Sequence, residues 1–333
     1  MTSTDRGAQT RARDQAAMSR AAAAALADRL PPTPVRPALA LRPEGDLVLK
    51  LESTQPTGSF KVRGALHRVA SLLPDERERG IVAASTGNHG LAVAYAARLA
   101  GVRAAVLVPE PTPDQRVHAI EGLGASVERV GAECGESEAI ARTRAAETGE
   151  TFVSPYNDPL VMAGQGTLAV ELVEQVPRLG RLYVPVGGGG LIGGIAAVVK
   201  DARPDVELVG CSPRADHPMH ASVEAGRIVD TPHDPTLSLA TAGGLEEGSV
   251  TLQPCIDHVD RWELVEEDEI AAALRRAVGE ERVMVEGAAA VALAVCLRDA
   301  RPADGRVDCS VVCGGNLDLV HLERVVAGAE VRA

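Results

Sequence analysis

Aromatic side chains are scarce in this chain: two Phe, three Tyr and one Trp make up 2% of its 333 residues. That scarcity excludes the stacking platform on which single-stranded nucleic acid is held. Basic charge is short as well. Lys and Arg number 34 against 46 Asp and Glu, a net charge of −12, whereas binding a phosphate backbone wants a basic face. The six cysteines, Cys134, Cys211, Cys255, Cys296, Cys309 and Cys313, include no Cys-x-x-Cys pair. A zinc knuckle or dithiol redox site is therefore not expected, and their scatter through a long chain suits a reducing cytoplasm. Arg6, Arg11, Arg13 and Arg20 near the amino terminus precede no apolar signal core. The longest apolar run, GAAAVALAVCL at 287–297, is too short to cross a bilayer and reads as a buried helix. Neither nucleic acid nor a membrane is expected as a partner. The residues are 45% hydrophobic, so the chain is globular, with length for two lobes and a core of closely packed Ala, Val, Leu and Ile.

Strand and helix signals alternate. DLVLKLE at 46–52, GIVAAS at 80–85, RAAVLVP at 103–109 and ASVERVG at 125–131 read as strands. Helices are predicted from about 60 to 73, from 91 to 101, from 113 to 124 and from 137 to 149. Residues 1–16 are polar and read as loose, with a helix following up to Pro31 and Pro32. After residue 180 the pattern recurs: strand at 181–186, glycine loop, helix, strand at 206–211, an acidic-start helix after Leu264, and a last strand at 309–315. The reading is an α/β protein of two doubly wound lobes. Residues 76–153 form a small domain inserted in a large one built from 1–75 and 154–333.

Two loops carry chemistry. VGGGGLIGG at 186–194 contains Gly188-x-Gly190-x-x-Gly193 between a strand and a helix, the arrangement of a dinucleotide turn. The next strand ends LVGCSP, without the acid that would hold ribose hydroxyls. Four consecutive glycines read better as a cup of backbone N–H groups around one phosphate, with tight packing as the plain alternative. In TGSFKVRGA at 57–65, Lys61 sits between a tight turn, an aromatic ring and a small-residue helix start, which is how an amine would be fixed in place. A surface or salt-bridged lysine is the ordinary alternative. A phosphate cup and a fixed lysine together suggest pyridoxal phosphate, whose aldehyde forms an imine with a lysine.

The motifs resemble those of the pyridoxal-phosphate enzymes of the threonine dehydratase and serine racemase family, which share the tryptophan-synthase-β-like fold (fold type II). Four of them stand in order from about residue 35 onward: TGSFKVRGA, STGNHG at 85–90, VGGGGLIGG, and CGGN at 313–316, with AGQGTLAVE at 163–171 also family-like. The resemblance implies that Lys61 carries the cofactor and moves the Cα proton, and that Phe60 packs on the ring. It implies that Asn88 donates to the ring oxygen, while Ser85, Thr86, Gly87 and His89 join Asn88 around the substrate carboxylate. Gly187, Gly188, Gly189, Gly190 and Leu191 would hold the phosphate, and Cys313 would face the pyridine nitrogen. It further implies a cytoplasmic homodimer acting on a small amino acid.

Chemistry points the same way. A neutral thiol is a weak hydrogen-bonding group, so Cys313 should leave the ring nitrogen mostly unprotonated. The ring is then a shallow sink for the carbanion, which favours losing a β leaving group. That is β-elimination from a 3-hydroxy amino acid such as threonine or serine, giving a 2-oxo acid and ammonia. A bulkier or acidic 3-hydroxy amino acid, or serine-type racemisation with Thr86 as the second acid/base, are the alternatives. Cys313 can also be read as a plain core thiol, and His89 as structural. Glu286 reads equally as facing the cofactor or as complementing a helix dipole. His217 and His220 read as a solvated loop. The chain departs from the family in two places. Ser212 and Pro218 stand where some relatives place metal-binding carboxylates, with Asp216 out of register, so no metal is expected. LATAGGLEEGS at 239–249 replaces the usual Ala-Asp-Gly near the substrate.

Overall fold

A computed structural model of the chain describes residues 3–302, 305–317 and 322–323. The ten strands among the described residues are β1 (Val35–Pro37), β2 (Leu47–Leu51), β3 (Ile81–Ala84), β4 (Ala104–Val108), β5 (Ser126–Arg129), β6 (Thr151–Phe152), β7 (Leu179–Pro185), β8 (Glu207–Pro213), β9 (Arg261–Val265) and β10 (Val307–Val312). The α-helices are α1 (Ser3–Leu26), α2 (Lys61–Ala70), α3 (Pro74–Arg79), α4 (Asn88–Ala100), α5 (Asp114–Glu121), α6 (Cys134–Thr148), α7 (Pro159–Gln175), α8 (Gly190–Ala202), α9 (Pro218–Ala225), α10 (Leu252–His258), α11 (Glu267–Arg276) and α12 (Gly287–Arg298).

The strands form two sheets. One has the order β1-β2-β10-β7-β8-β9, the other β5-β4-β3-β6. Every pairing is parallel except β1 with β2. Parallel strands are covered on both faces, so their sequences are continuous apolar runs; β3, IVAA, is buried at every position. The larger sheet holds the main aliphatic core, in which α12 contributes a fully buried run from Gly287 to Cys296. Both sheets aim the loops at the carboxyl ends of their strands toward one place, as open α/β sheets do. These loops are 85–87 after β3, 186–189 after β7 and 313–317 after β10, and the η turn Glu52–Thr54 after β2 leads into the Lys61 loop.

The structure differs from the sequence reading in identifiable places. Residues before 16 are helical rather than loose: α1 starts at Ser3. Its Ala12 and Ala16 are buried, and Arg11 and Arg20 pair with Asp257 and Asp201, each at 2.6 Å. Tertiary contact thus orders a segment whose own pattern is weakly amphipathic. The family-like AGQGTLAVE lies inside α7, capped by Asp158, whose carboxylate accepts from the N–H groups of Leu160 and Val161. β1, β6 and β9 are edge or near-edge strands of two to five residues, too short to leave a periodic signal. His217 and His220 do not sit in a solvated loop. They begin α9, with His217 at its N-cap bonded to Arg214 O and His220 stacked on Trp262 at 5.8 Å.

Candidate active site

Lys61 is the first residue of α2, and its Nζ reaches the carbonyl oxygen of Pro155 at 2.9 Å. Phe60 precedes it at the N-cap, with its ring centroid 5.3 Å from Nζ. The Phe60 N–H donates to Cys313 O at 2.9 Å, which ties the lysine turn to the end of β10. Burial disfavours the charged amine and lowers Lys61 to about 8, although Cys313 and Glu286 oppose this. A substantial neutral fraction of an amine is what imine chemistry needs.

Lys61 lines a cavity of about 440 Å³ together with Ser85, Thr86, Gly87, Asn88 and His89. Gly87 is the N-cap of α4, and Leu91 N donates to its carbonyl at 3.1 Å. The N–H groups of Asn88, His89 and Gly90 thus have no acceptor within the helix, and a helix start of this kind attracts carboxylates. Gly87 N itself donates to Ser85 Oγ at 3.2 Å. A Cβ on Gly87 would stand in open space, so what glycine contributes there is room on the cavity side. His89 is buried, and its Nε2 bonds Val153 O at 2.8 Å. Burial, helped by Lys61, drops it to about 3, so it is neutral at ordinary pH and acts as a brace between β6 and α4.

Glu286 and Asn316 line the same cavity beside Asn88, and Cys313 lies behind Glu286, outside the lining. Asn88 Nδ2 donates to both Glu286 oxygens at 2.9 and 3.0 Å, and Cys313 Sγ lies 3.7 Å from Glu286 Oε1. Cys313 is buried, and its thiol is pushed well above its ordinary value by burial and by Glu286. The thiol is therefore neutral at ordinary pH.

The glycine turn stands slightly apart. Gly187–Leu191 are not in the cavity lining, and Tyr156 lies against the turn at Gly188 and Gly190. A Cβ on Gly188 would fall 2.4 Å from the Tyr156 ring, and one on Gly187 would fall 2.7 Å from Thr241 O. Gly189 has φ +80°, and Thr251 Oγ1 donates to Gly188 O at 2.7 Å. These glycines are required by close approach as well as by the start of α8. The sequence reading missed Tyr156; its only signal was the PYNDP segment leading into α7. It also left out Gln115 and Arg116, which line the cavity together with Leu239 and Ala242 of the segment expected near the substrate. Ser212 is bonded to Val186 O and Pro218 opens α9, while Asp216 accepts from Gly243 N at 2.9 Å. Among the described residues no three His, Cys, Asp or Glu side chains gather as a metal site.

A family profile described as pyridoxal-phosphate dependent enzyme matches residues 26–314. The chain belongs to the pyridoxal-phosphate-dependent enzymes. The L-threonine ammonia-lyase of Geobacter sulfurreducens is 40% identical over 289 residues, covering 86% of this chain and 71% of that protein. Among solved structures, the processed threonine deaminase isoform 2 of Solanum lycopersicum superposes with a TM-score of 0.88 at 28% identity, covering 96% of this chain and 94% of that one. Maize serine racemase gives 0.85 at 30% identity, covering 93% and 96%. The pyridoxal-phosphate enzyme's donor set fits the cofactor. It offers an amine of lowered pKa and an amide on the cavity lining, a neutral thiol behind Glu286, and a glycine turn opening a helix.

Proposed function

We propose that this enzyme removes water from a 3-hydroxy amino acid, threonine or serine first, releasing the 2-oxo acid and ammonia. The observation that carries the reading is the Lys61 amine, at about 8, sharing one cavity with the N–H end of α4. Lys61 would hold the cofactor through its amine, with Phe60 beside it; Asn88 and Cys313 would bond its ring, and Gly187–Leu191 its phosphate. When bound, pyridoxal phosphate supplies an aldehyde that captures the substrate amine and a conjugated ring that accepts negative charge from Cα. Ser85, Thr86, Gly87, Asn88 and His89 orient the substrate carboxylate, and Lys61 Nζ takes the Cα proton. Loss of the β-hydroxyl then leaves an enamine that water converts to the 2-oxo acid and ammonia.

Two α/β units support this arrangement: 1–75 with 154–333, and 76–153. All four strands of the smaller sheet lie in the second unit, and α2 bridges the two, since Val62, Leu66 and Val69 pack with Ile81, Ala92 and Val93. A cytoplasmic homodimer belongs to the same proposal, and sedimentation of the holoenzyme tests the dimer. No described helix is long and apolar enough to cross a membrane.

The test of activity is ammonia and 2-oxo acid release over a panel of 3-hydroxy amino acids of both configurations. Thr86 in the cavity and the likeness to serine racemase favour a second reading, inversion at Cα, which chiral analysis of recovered substrate measures in the same tubes. A panel yielding only inverted amino acid would replace elimination by racemisation.

A further inference from the structure

Glu286 occupies the N-cap position of α12, yet its side chain makes no capping bond. It is 5% exposed and turned instead into the site, where it bonds to Asn88 and Cys313. A Cβ on Gly314 would lie 2.5 Å from Glu286 Oε1, so that glycine lets the carboxyl group approach the end of β10. Asn316 Nδ2 donates to Asn88 Oδ1 at 2.7 Å, which fixes the Asn88 amide with its oxygen satisfied. The Asn88 amide nitrogen is held by both Glu286 oxygens, at 2.9 and 3.0 Å, at the edge of the cavity that Asn88 lines.

The thiol has only one proton to give. If Glu286 is ionised, it takes the Cys313 S–H, and the sulfur turns a lone pair toward the ring nitrogen. If Glu286 is neutral, it donates to the sulfur, and the Cys313 proton is free for the ring nitrogen.

We propose that Glu286 is a positioning residue whose protonation decides whether Cys313 presents an acceptor or a donor to the nitrogen of the bound cofactor ring. This rests on the placement of that ring between Asn88 and Cys313 given above.

Burial raises the Glu286 carboxyl group to about 7, against the lowering effect of Asn88, Cys313, the Asn316 backbone N–H and Lys61. Both forms therefore exist near neutrality. The titratable groups facing it are Lys61 from α2 and Cys313 from the end of β10. His89 on α4 stays neutral and is bonded to Val153 O.

The test is the absorbance of the bound cofactor in the holoenzyme, followed from pH 5.5 to 8.5 in wild type, Glu286→Gln and Cys313→Ala, with no substrate present. The expected result is a band change with a midpoint near pH 7 in wild type that is absent from Glu286→Gln. Cys313→Ala should lose it as well, because the relay to the ring passes through the sulfur. A wild-type spectrum flat between pH 6 and 8 overturns the proposal. So does a Glu286→Gln or Cys313→Ala spectrum that keeps the wild-type midpoint. Should Glu286→Gln fail to fold, Cys313→Ala alone decides the matter. Because turnover is not read, a protein that releases no ammonia could still pass, and an active one could fail.

Discussion

Helix α2 carries Lys61 and Arg63 on opposite faces of its first turn, and their surroundings treat burial in opposite ways. Lys61 faces the cavity. Arg63, two residues on, faces back into a sealed ionic cluster, where its guanidinium meets Glu52 at 2.7 Å and Glu171 at 2.6 Å. Thr33 donates to Glu52 at 2.6 Å, and Lys50 lies 2.5 Å from Glu171. Burial pushes Glu52 up, but Arg63 and Thr33 outweigh it and leave the carboxylate below its ordinary value. Burial pulls Arg63 down, and Glu52 with Glu171 more than restores it. At the cavity no such matched partner exists. Lys61 bonds a neutral carbonyl and Glu286 bonds an amide and a thiol, so burial wins and both move toward neutrality. Buried charge that is matched stays charged and holds structure; buried charge facing neutral dipoles becomes titratable and available for chemistry. Lys50 is the intermediate case, lowered by burial despite Glu171.

The comparison breaks most visibly at the two cations. Lys61→Ala should cut ammonia release by at least about 1,000-fold while leaving the melting temperature of the apoprotein near wild type. In wild type, borohydride should fix cofactor on Lys61, which peptide mapping checks. Arg63→Ala should do the reverse to the fold: two buried carboxylates lose their partner, at a cost of about 3–5 kcal/mol in urea unfolding. If Arg63→Ala unfolds no more easily than Lys61→Ala, the distinction between the two faces is lost.

A smaller effect concerns acid. His89 titrates near 3 in the folded chain against about 6.5 unfolded. Between those values the unfolded chain binds the extra proton, so stability is present above about pH 6.5 and drains away as pH falls. Apoprotein carrying His89→Gln should show a flatter loss of stability between pH 6.5 and 4 than wild type. Glu286 has the opposite sign. Its folded value near 7 lies above the unfolded one, so its contribution is fully present at low pH and is lost as pH rises through 7. Relative to wild type, Glu286→Gln apoprotein should gain stability on going from pH 5 to pH 8.

The smallest effect is expected at Cys313. Cys313→Ser keeps a neutral donor beside Glu286 and should cost under about 1.5 kcal/mol in the apoprotein. Cys313→Asp would place a second carboxyl group against Glu286. At neutral pH the pair should retain at least one proton, which proton uptake on refolding measures.

Much of this protein was legible in one dimension. The apolar strands, the glycine turn and the lysine between Phe60 and Val62 are local patterns. Backbone geometry and strand period act over a few residues, so a single stretch of sequence carries them. Four such stretches in order also identified the family, and with it the cofactor. What the tertiary structure decided is which residues meet across long separations. Asn88 and Glu286 are 198 positions apart, and a helix-start acid with two equal readings became a member of the site only when β10 and α4 brought Cys313 and Asn88 to it. The order of α1 and the seating of Tyr156 on the glycine turn were settled in the same way. Burial and electrostatic shifts depend on every neighbour at once, and a sequence motif names only the neighbours along the chain.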